Sequence, residues 1–386
     1  MPSRIGHGVL ISITVIALLF ASVMTSYSET INYIYDELNR LIQVIYEDGR
    51  VVTYTYDASG NRITLTQSVD TVPPTGAITI NSGDAVTYNP AVTLTLTCTD
   101  NVGCSQMQFS NDNVTYSTPE AYGTTKSWTL SPGSGTKTVY AKFKDAAGNW
   151  STPYSDTIDL DSYTKSLLHM NGADASTTFT DTALGGAHIW TAHGNAQIDT
   201  AQSKFGGASG LFDGNGDYID TPDSSDFDFG NGNFTIDFWM RMIRINSLHH
   251  VIAFYGSQWS NGNYQWYFEV DENIGSNRWK LQAAVYDSTY HVLISDSALA
   301  DQTWYHVALV RNGSEVALYI NGQKQSSTYN IGSNSLIDPA GTCYAKIGDA
   351  TWSTYHYYYK GWIDEFRISK GSARWTSNFT PPTQEY

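Results

Sequence analysis

Basic residues are scarce in this sequence of 386 residues. Lysine and arginine together number 21, against 37 aspartates and glutamates, which gives a formal net charge of −16. The basic residues stand at isolated positions and form no cluster along the chain. Because nucleic-acid binding depends on basic patches that neutralise phosphates, a nucleic-acid partner is disfavoured. An acidic surface is typical of a soluble protein, and it also occurs on secreted proteins that bind divalent cations.

Cysteine is also rare, with three residues in the whole chain. The sequence has no Cys-x-x-Cys and no spacing of cysteine and histidine that suggests zinc. Cys98 and Cys104 lie close enough to pair across a turn, and Cys343 is left over. A disulfide that closes so short a loop contributes about 2 kcal/mol in the chain-entropy model. The chain therefore fits an exported protein that does not depend on disulfides for its fold.

Lysine and leucine are few, whereas 27 tyrosines and 11 tryptophans accompany abundant threonine, serine, glycine and asparagine. This composition favours pleated, half-buried surfaces over amphipathic helices. The chain is also too long for one hydrophobic core, because single cores stop growing at roughly 250 to 300 residues. The sequence therefore predicts an all-β protein of two or three domains.

The N-terminus has the pattern of a secretory signal. Arg4 precedes an apolar run from Gly8 to Met24, and the polar stretch from Thr25 to Thr30 follows. We expect residues 1–28 to be a cleaved signal peptide. The alternative is retention as an anchor, since the run is nearly long enough to span a membrane, and only then is the membrane a partner. Both outcomes predict a secreted or cell-surface protein, outside the cytoplasm.

Residues 31–66 contain an internal repeat with a period of about 21 residues. Tyr33-x-Tyr35-Asp36 recurs as Tyr54-x-Tyr56-Asp57, and each copy runs into a turn and an arginine. Alternating aromatics predict short strands, and the aspartates supply turn chemistry. The stretch from Tyr54 to Arg62 resembles the YD repeats of the Rhs type, which wind large shells from many copies. Stacked repeats generally need three or more copies, so two predict a remnant or a small β-hairpin module, without an encapsulating function.

The proline pair Pro73-Pro74 marks a domain boundary, because consecutive prolines stiffen a linker and cannot join a central strand. From residue 73 to residue 161, about seven short β-rich runs alternate with turns, as in a small sandwich. This stretch resembles the bacterial immunoglobulin-like domains of surface proteins, most specifically from Lys144 to Ser151. Asp145 and Asn149 are expected to satisfy backbone groups in a turn. The resemblance implies a spacer domain.

Longer strands with dense aromatics begin after Ser162. Runs such as Phe234 to Arg241 and Trp304 to Val310 alternate along the chain, which predicts strands with one buried face. Asn312-Gly313 and Asn321-Gly322 are hairpin turns of the type that joins antiparallel neighbours. Antiparallel packing of two sheets is therefore predicted.

Ordered motifs between residues 162 and 386 resemble the LamG-like, concanavalin A-like jelly roll. They are Phe212 to Ile219, Phe234 to Arg241, Trp304 to Arg311, Leu318 to Gly322 and Gly361 to Ile368. The closing stretch from Arg374 to Pro382 is similar to the end of LamG-type domains in phage-tail and bacterial surface proteins. The resemblance implies an antiparallel jelly-roll sandwich, preceded by the immunoglobulin-like sandwich and the short hairpin repeat.

The resemblance also implies a structural calcium ion, which related jelly rolls hold with an acidic residue of the last strand and oxygen ligands near the first. The matching positions are Asp364, Asn171 and Asp181. Calcium takes six to eight oxygens, many from backbone carbonyls, so these side chains form only part of a cage. Asn171 stands where relatives often have aspartate, which removes a charge and should weaken the site. The alternative is that Asp364 caps a turn or accepts backbone hydrogen bonds.

Glycan recognition in such folds uses exposed aromatic rings stacked on sugar faces, together with polar side chains in loops. Two stretches have this character: residues 258–264 form a turn-rich loop, and residues 352–359 contain consecutive aromatics that cannot all enter one core. The residues predicted to bind a ligand are Trp259, Tyr264, Trp352, Tyr355 and Tyr357. About half of the rings in these stretches are expected to cover the core or its edge instead.

No catalytic constellation is recognised in the sequence. Hydrolases with this sandwich place acids at positions one, three and five of a strand, and the run from Glu269 to Asn273 comes nearest. Asn273 stands at the fifth position and Glu272 points to the opposite face, so the acid/base is missing. His249 and His250 have no nearby sequence that suggests a nucleophile or a metal set. We therefore expect no enzymatic activity.

The expected function is binding and adhesion by a non-catalytic secreted or cell-surface protein. Its partner is expected to be a carbohydrate, or a cell-surface protein, recognised by the C-terminal domain. One alternative is a structural, phage-tail-like assembly module. The other is a fragment of a polysaccharide hydrolase.

Overall fold

The computed structural model describes residues 31–46, 49–183, 188–245, 249–257, 263–271, 278–339, 341–352 and 355–386. The expected signal segment, residues 1–28, lies outside the described residues. The chain forms two compact units, Met1–Leu160 and Asp161–Tyr386, which are named unit 1 and unit 2. No helix in the described ranges is long and apolar enough to cross a membrane.

The chain is all-β, which confirms the predicted fold class. The strands of unit 1 are β1 (Asn32–Tyr35), β2 (Leu41–Ile45), β3 (Arg50–Tyr56), β4 (Arg62–Val69), β5 (Thr75–Ile80), β6 (Val86–Thr87), β7 (Ala91–Thr99), β8 (Cys104–Ser110), β9 (Glu120–Ala121), β10 (Thr125–Thr129), β11 (Gly135–Asp145) and β12 (Tyr154–Leu160). A 3-10 turn spans Asn81–Gly83.

Unit 2 contains longer strands. They are β13 (Thr164–Leu168), β14 (Thr191–His193), β15 (Gln197–Asp199), β16 (Ser209–Asp213), β17 (Tyr218–Pro222), β18 (Phe234–Met242), β19 (His249–Gly256), β20 (Tyr264–Asp271), β21 (Lys280–Tyr286), β22 (Tyr290–Ala298), β23 (Trp304–Asn312), β24 (Glu315–Ile320), β25 (Gln323–Asn330), β26 (Tyr344–Ile347), β27 (Thr351–Trp352), β28 (Tyr355–His356) and β29 (Lys360–Lys370).

The tyrosine repeat folds as a four-stranded antiparallel meander of β1 to β4. Asp36 and Asp57 occupy the same place in its first and third turns. Oδ1 of Asp36 accepts the backbone N–H of Arg40 at 2.9 Å, and Oδ1 of Asp57 accepts that of Asn61 at 2.8 Å. Bonds from an aspartate to the backbone of its own turn fix that turn, so the repeat in sequence is a repeat of turn chemistry.

A two-sheet sandwich follows in unit 1. Its sheets have the strand orders β10-β7-β5 and β6-β12-β11-β8-β9. Along β7 the side chains of Val92, Leu94 and Leu96 are buried, while the threonines between them are exposed. This period of two gives each strand one face toward the core, as the sequence predicts.

A disulfide joins two consecutive strands that belong to different sheets of this sandwich. Cys98 of β7 and Cys104 of β8 are bonded, with 6.3 Å between their Cα atoms, and Cys343 is a buried free thiol. The predicted turn after β11 is also present, because Oδ1 of Asp145 accepts the backbone N–H of Asn149 at 2.8 Å. Both local predictions for this sandwich therefore hold.

Unit 2 is a sandwich of two antiparallel sheets. One sheet has the order β15-β16-β29-β18-β23-β24-β25, with β13 also paired to β29, and the other has the order β14-β17-β26-β19-β20-β21-β22. The two sheets enclose one core, in which Phe238 of β18 meets Phe268 of β20 with 5.0 Å between ring centroids. The predicted antiparallel sandwich is confirmed.

The turn between β24 and β25 requires a glycine. Asn321 and Gly322 have φ values of +48° and +73°, which is the two-residue hairpin turn predicted from the sequence. A side chain on Gly322 would also collide with the backbone carbonyl of Phe379. Because Gly322 has no side chain, the C-terminal segment around Phe379 packs directly against this turn.

The C-terminal segment covers the outer face of the eight-stranded sheet. The rings of Trp375 and Phe379 stack with 4.0 Å between centroids and pack against Ala308, Val310 and Tyr319. This end of the chain is therefore part of the fold of unit 2.

Candidate functional site

The outer face of the seven-stranded sheet carries polar groups where β19 and β20 pair. Along β20, Phe268 and Val270 enter the core between the sheets. Because side chains alternate across a strand, Glu269 and Asp271 lie on the outer face. His249 of β19 is directly opposite Asp271 in the register. The hairpin therefore brings one histidine and two carboxylates together.

These three side chains, His249, Glu269 and Asp271, are named the outer trio. Nδ1 of His249 lies 3.1 Å from Oε2 of Glu269 and 3.5 Å from Oδ2 of Asp271. The carboxylates are almost fully buried, whereas the imidazole is 25% exposed. Burial raises the pKa of the Glu269 carboxyl above its usual range. Burial acts to lower the pKa of His249, but the hydrogen bond and charge of Glu269 outweigh it and raise that pKa. The trio can take up a proton or a cation.

Rings from the segment after β27 lie beside the trio. The ring of Tyr357 packs edge-on against the imidazole of His249, with 5.0 Å between centroids. His356 stacks on Tyr358 at 5.3 Å, and its Nδ1 lies 3.0 Å from Oδ2 of Asp349. Each imidazole here is therefore paired with both a carboxylate and a second ring.

A similar group lies on β14, β17 and β26 of the same sheet. His193 stacks on Tyr218 with 4.2 Å between centroids, and its Nε2 lies 3.0 Å from Oδ1 of Asp220. Nζ of Lys346 lies 4.9 Å from the centre of the Tyr218 ring and 3.7 Å from Asp349. We name as the ring row the partly exposed rings of His193, Tyr218, His356, Tyr357 and Tyr358.

The aromatic residues predicted to bind a ligand have different places. Trp259 lies outside the described residues. Trp352 and Tyr355 are paired in the short hairpin of β27 and β28. Tyr357 belongs to the ring row and contacts the outer trio. Among the described residues, the second predicted stretch reaches the candidate site through Tyr357.

Tyr264 departs from the prediction. It is the first residue of β20 rather than part of a loop, and it is 1% exposed. Its ring packs against that of Tyr267, with 5.1 Å between centroids. The pairing of β19 with β20 shifts register between Tyr255 and Gly256, and such a bulge changes the direction of neighbouring side chains. The ring has no exposed face for a sugar, so the prediction of a ligand-stacking ring at Tyr264 is wrong.

Asp181, one of the predicted calcium ligands, accepts three hydrogen bonds from the protein. Its Oδ1 accepts the backbone N–H groups of Leu167 and Ala183, each at 3.0 Å. Its Oδ2 accepts the hydroxyl of Ser166 at 2.6 Å. These bonds attach the segment around Asp181 to β13, which is a structural role.

Asp364 of β29 has one satisfied and one unsatisfied oxygen. Its Oδ2 accepts the backbone N–H groups of Lys204 at 2.7 Å and Phe205 at 3.1 Å, whereas Oδ1 is buried and has no hydrogen-bond partner among the described residues. Burial raises the pKa of Asp364 to about 7. Asn171 reaches the same loop, because a side chain on Gly206 would collide with its amide oxygen. Asp364 and Asn171 therefore both contact the loop at residues 204–206.

Sequence reasoning missed the outer trio. It considered Glu269 and Asp271 only against a hydrolase motif, and it found no sequence near His249 that suggests a nucleophile or a metal set. The carboxylates come instead from the neighbouring strand, through the register of β19 with β20. Recognising the two strands as one hairpin is the signal that could have found the trio.

Two family models match parts of the chain. Residues 213–375 match the concanavalin A-like lectin/glucanases superfamily, and residues 35–72 match the RHS repeat. No curated protein matches the chain.

Several solved structures have a similar fold. Domain 4 of AbnA, a GH43 extracellular arabinanase from Geobacillus stearothermophilus in complex with arabinotriose, is 18% identical, with 54% of this chain and 93% of that chain covered and a TM-score of 0.41. The binding domain of botulinum neurotoxin DC, in complex with rat synaptotagmin II, is 15% identical and has a TM-score of 0.40. That match covers 54% of this chain and 49% of the toxin chain, so this chain spans about half of its length.

The family matches agree with the alternating strands and the two-sheet core. Residues 213–375 therefore form a concanavalin A-like domain of the lectin/glucanases superfamily, and residues 35–72 carry an RHS repeat.

Proposed function

We propose that this protein is an extracytoplasmic, non-catalytic binding and adhesion protein that recognises a carbohydrate through the outer face of the seven-stranded sheet. The ring row carries the proposal, because it sets partly exposed rings beside carboxylates across that face. Rings stack on the apolar faces of sugars, while carboxylates and imidazoles bond hydroxyl groups. The disulfide Cys98–Cys104 supports an oxidising compartment.

Charge on this face favours an uncharged saccharide. Asp220, Asp349 and the two carboxylates of the outer trio are all on or beside it. Lys346 lies within 3.7 Å of Asp349, so its charge is already matched. Like charges across an interface cost free energy. A neutral polysaccharide is therefore expected to bind better than one rich in carboxylates or sulfates.

A glycan array probed with the full chain should show binding to a neutral saccharide. Tyr218→Ala and Tyr357→Ala should each weaken that binding at least about tenfold in titration calorimetry, since about 1.4 kcal/mol is within reach of one stacked ring. Trp352→Ala and Trp259→Ala test the two tryptophans predicted from the sequence. Tyr163→Ala is the matched control, because Tyr163 is an exposed tyrosine of unit 2 outside the ring row.

Two outcomes would contradict this proposal. If no saccharide on the array binds and the protein self-associates in sedimentation, the structural assembly module is favoured. Release of sugar from a panel of polysaccharides, lost in Glu269→Gln, would favour the hydrolase and contradict the non-catalytic part.

A structural calcium ion at Asp364 is the second part of the proposal. The buried, unpartnered Oδ1 of Asp364 fits a cation ligand. The side-chain amide nitrogen of Asn171 donates to Glu385 at 2.8 Å, which leaves the amide oxygen of Asn171 for an ion. Asp181 fits less well, because three protein donors already bond its two oxygens. Asp364 and Asn171, with backbone carbonyls, would hold the ion and fasten the loop at residues 204–206.

Calcium should raise the melting temperature of the wild-type protein relative to chelator. At a hundredfold excess over Kd, binding stabilises by about 2.7 kcal/mol, which corresponds to about 5–10 °C for a domain of this size. Asp364→Asn should lose the response, and Asp174→Asn, at an exposed aspartate, should keep it. Equal melting temperatures of the wild type in chelator and in millimolar calcium would rule out the site.

A further inference from the structure

The outer trio has the spacing of a metal site made of one nitrogen and two carboxylate oxygens. Zinc bonds to imidazole and carboxylate measure about 2.0–2.2 Å, so two ligands of a tetrahedral ion lie about 3.3–3.6 Å apart. Nδ1 of His249 lies 3.1 Å from Glu269 and 3.5 Å from Asp271, and the ligand atoms of all three lie within 4.8 Å of one another. Small shifts would bring all three atoms onto one ion.

A proton accounts for these contacts less well than a metal ion does. Both carboxylates approach the same nitrogen, and one proton on Nδ1 makes one good hydrogen bond, which Glu269 receives at 3.1 Å. A cation between the three atoms contacts all of them.

A fourth side chain lies beside the trio. Gln282 of β21 is directly opposite Glu269, which places the two side chains on the same face with Cβ atoms about 4.5–5.5 Å apart. Gln282 is 3% exposed, and its Nε2 has no hydrogen-bond partner within the described ranges. Buried amides are nearly always hydrogen-bonded, so this amide is placed to donate to a group bound beside the trio.

We infer that His249, Glu269 and Asp271 bind a divalent transition-metal ion of the zinc class, and that Gln282 donates to an exogenous oxygen in the fourth position. The imidazole ligand favours such an ion over calcium or magnesium, which take oxygen ligands. Three protein ligands with one open position are typical of zinc sites that exchange a ligand. The inference does not depend on carbohydrate binding.

Titration calorimetry tests this site. The full chain, purified without a histidine tag and stripped with chelator, should bind one zinc ion per chain in the presence of millimolar calcium. His249→Ala and Asp271→Asn should each weaken zinc binding at least tenfold. The matched control is His291→Ala, because His291 lies on the same sheet with Nε2 2.9 Å from a single carboxylate, that of Asp287, and this variant should bind zinc like the wild type.

Failure of the wild type to bind zinc would overturn the inference, and so would an equal loss in His291→Ala. If the trio variants do not fold by circular dichroism, crystals of the wild type grown with zinc decide the matter. An anomalous peak within bonding distance of Nδ1 of His249 would support the site, whereas a peak elsewhere, or none, would overturn it.

Discussion

Replacing Arg367 with methionine should lower the free energy of unfolding of unit 2 by about 3–5 kcal/mol. Arg367 of β29 and Asp237 of β18 are direct register partners. Nε of Arg367 lies 3.1 Å from Oδ1 of Asp237, and Nη2 lies 2.9 Å from Oδ2. Asp237 is fully buried, so removal of the guanidinium leaves a carboxylate that water does not reach. An uncompensated buried charge is among the most costly results of a single substitution.

Arg367 of this ion pair also packs against Tyr386, the last residue of the sequence. The guanidinium of Arg367 lies 3.6 Å from the ring centre of Tyr386, and the hydroxyl of Tyr386 lies 3.0 Å from Nε2 of His306. Burial acts to raise the pKa of Asp237, but the charge of Arg367 and the contact with His306 hold it well below the usual range. Without Arg367 the carboxyl must remain as a buried charge or take up a proton, and both reduce stability near pH 7.

Urea denaturation followed by tryptophan fluorescence measures this effect, since nine of the eleven tryptophans lie in unit 2. The double variant Asp237→Leu/Arg367→Met should recover most of the loss, because apolar residues of similar volume often replace a buried ion pair without cost. Lys324→Met is the control: its pair with Glu315 at 2.7 Å is partly exposed and should contribute at most about 1 kcal/mol. An Arg367→Met protein as stable as this control would contradict the prediction.

Local sequence patterns predicted most of the fold of unit 2. Alternation predicted the run from Phe234 to Arg241 as a strand, and it forms β18. The prediction of a single buried face is wrong for this strand, because Thr235, Asp237 and Trp239 on its other face are buried as well. The Asn321-Gly322 turn was also predictable, since it depends on the φ values of two adjacent residues. Features decided within one strand or one turn can be read from the sequence.

Contacts between strands could not be predicted in the same way. Asp237 and Arg367 are 130 residues apart, and the register of β18 with β29, which the core packing decides, brings them together. The same limit applies to His249, which gains its carboxylates from a neighbouring strand. Tyr264 was predicted to lie in a turn-rich loop, but pairing with β19 makes it a buried residue of β20. The outer trio therefore depends on information that no single segment contains.

Asp364 should make unit 2 less stable as the pH rises from about 4 to 7. Burial raises its pKa to about 7 in the folded protein, whereas an aspartate in an unfolded chain has a pKa of about 3.9. The folded state therefore holds a proton that the unfolded state releases. This contribution is complete below about pH 4 and is lost as the pH passes the folded-state pKa, with a slope of at most about 1.4 kcal/mol per pH unit.

The variant Asp364→Asn isolates this contribution. Asparagine is uncharged, like the protonated acid, and keeps an oxygen for the backbone N–H groups of Lys204 and Phe205. Other carboxyls with raised pKa values, such as Glu269, contribute equally in both proteins and cancel in the comparison. Urea denaturation is measured with chelator present, so that no cation competes with the proton. Above about pH 7, the free energy of unfolding of the variant should exceed that of the wild type. Parallel stability curves from pH 4 to 8 would contradict the assignment of this proton to Asp364.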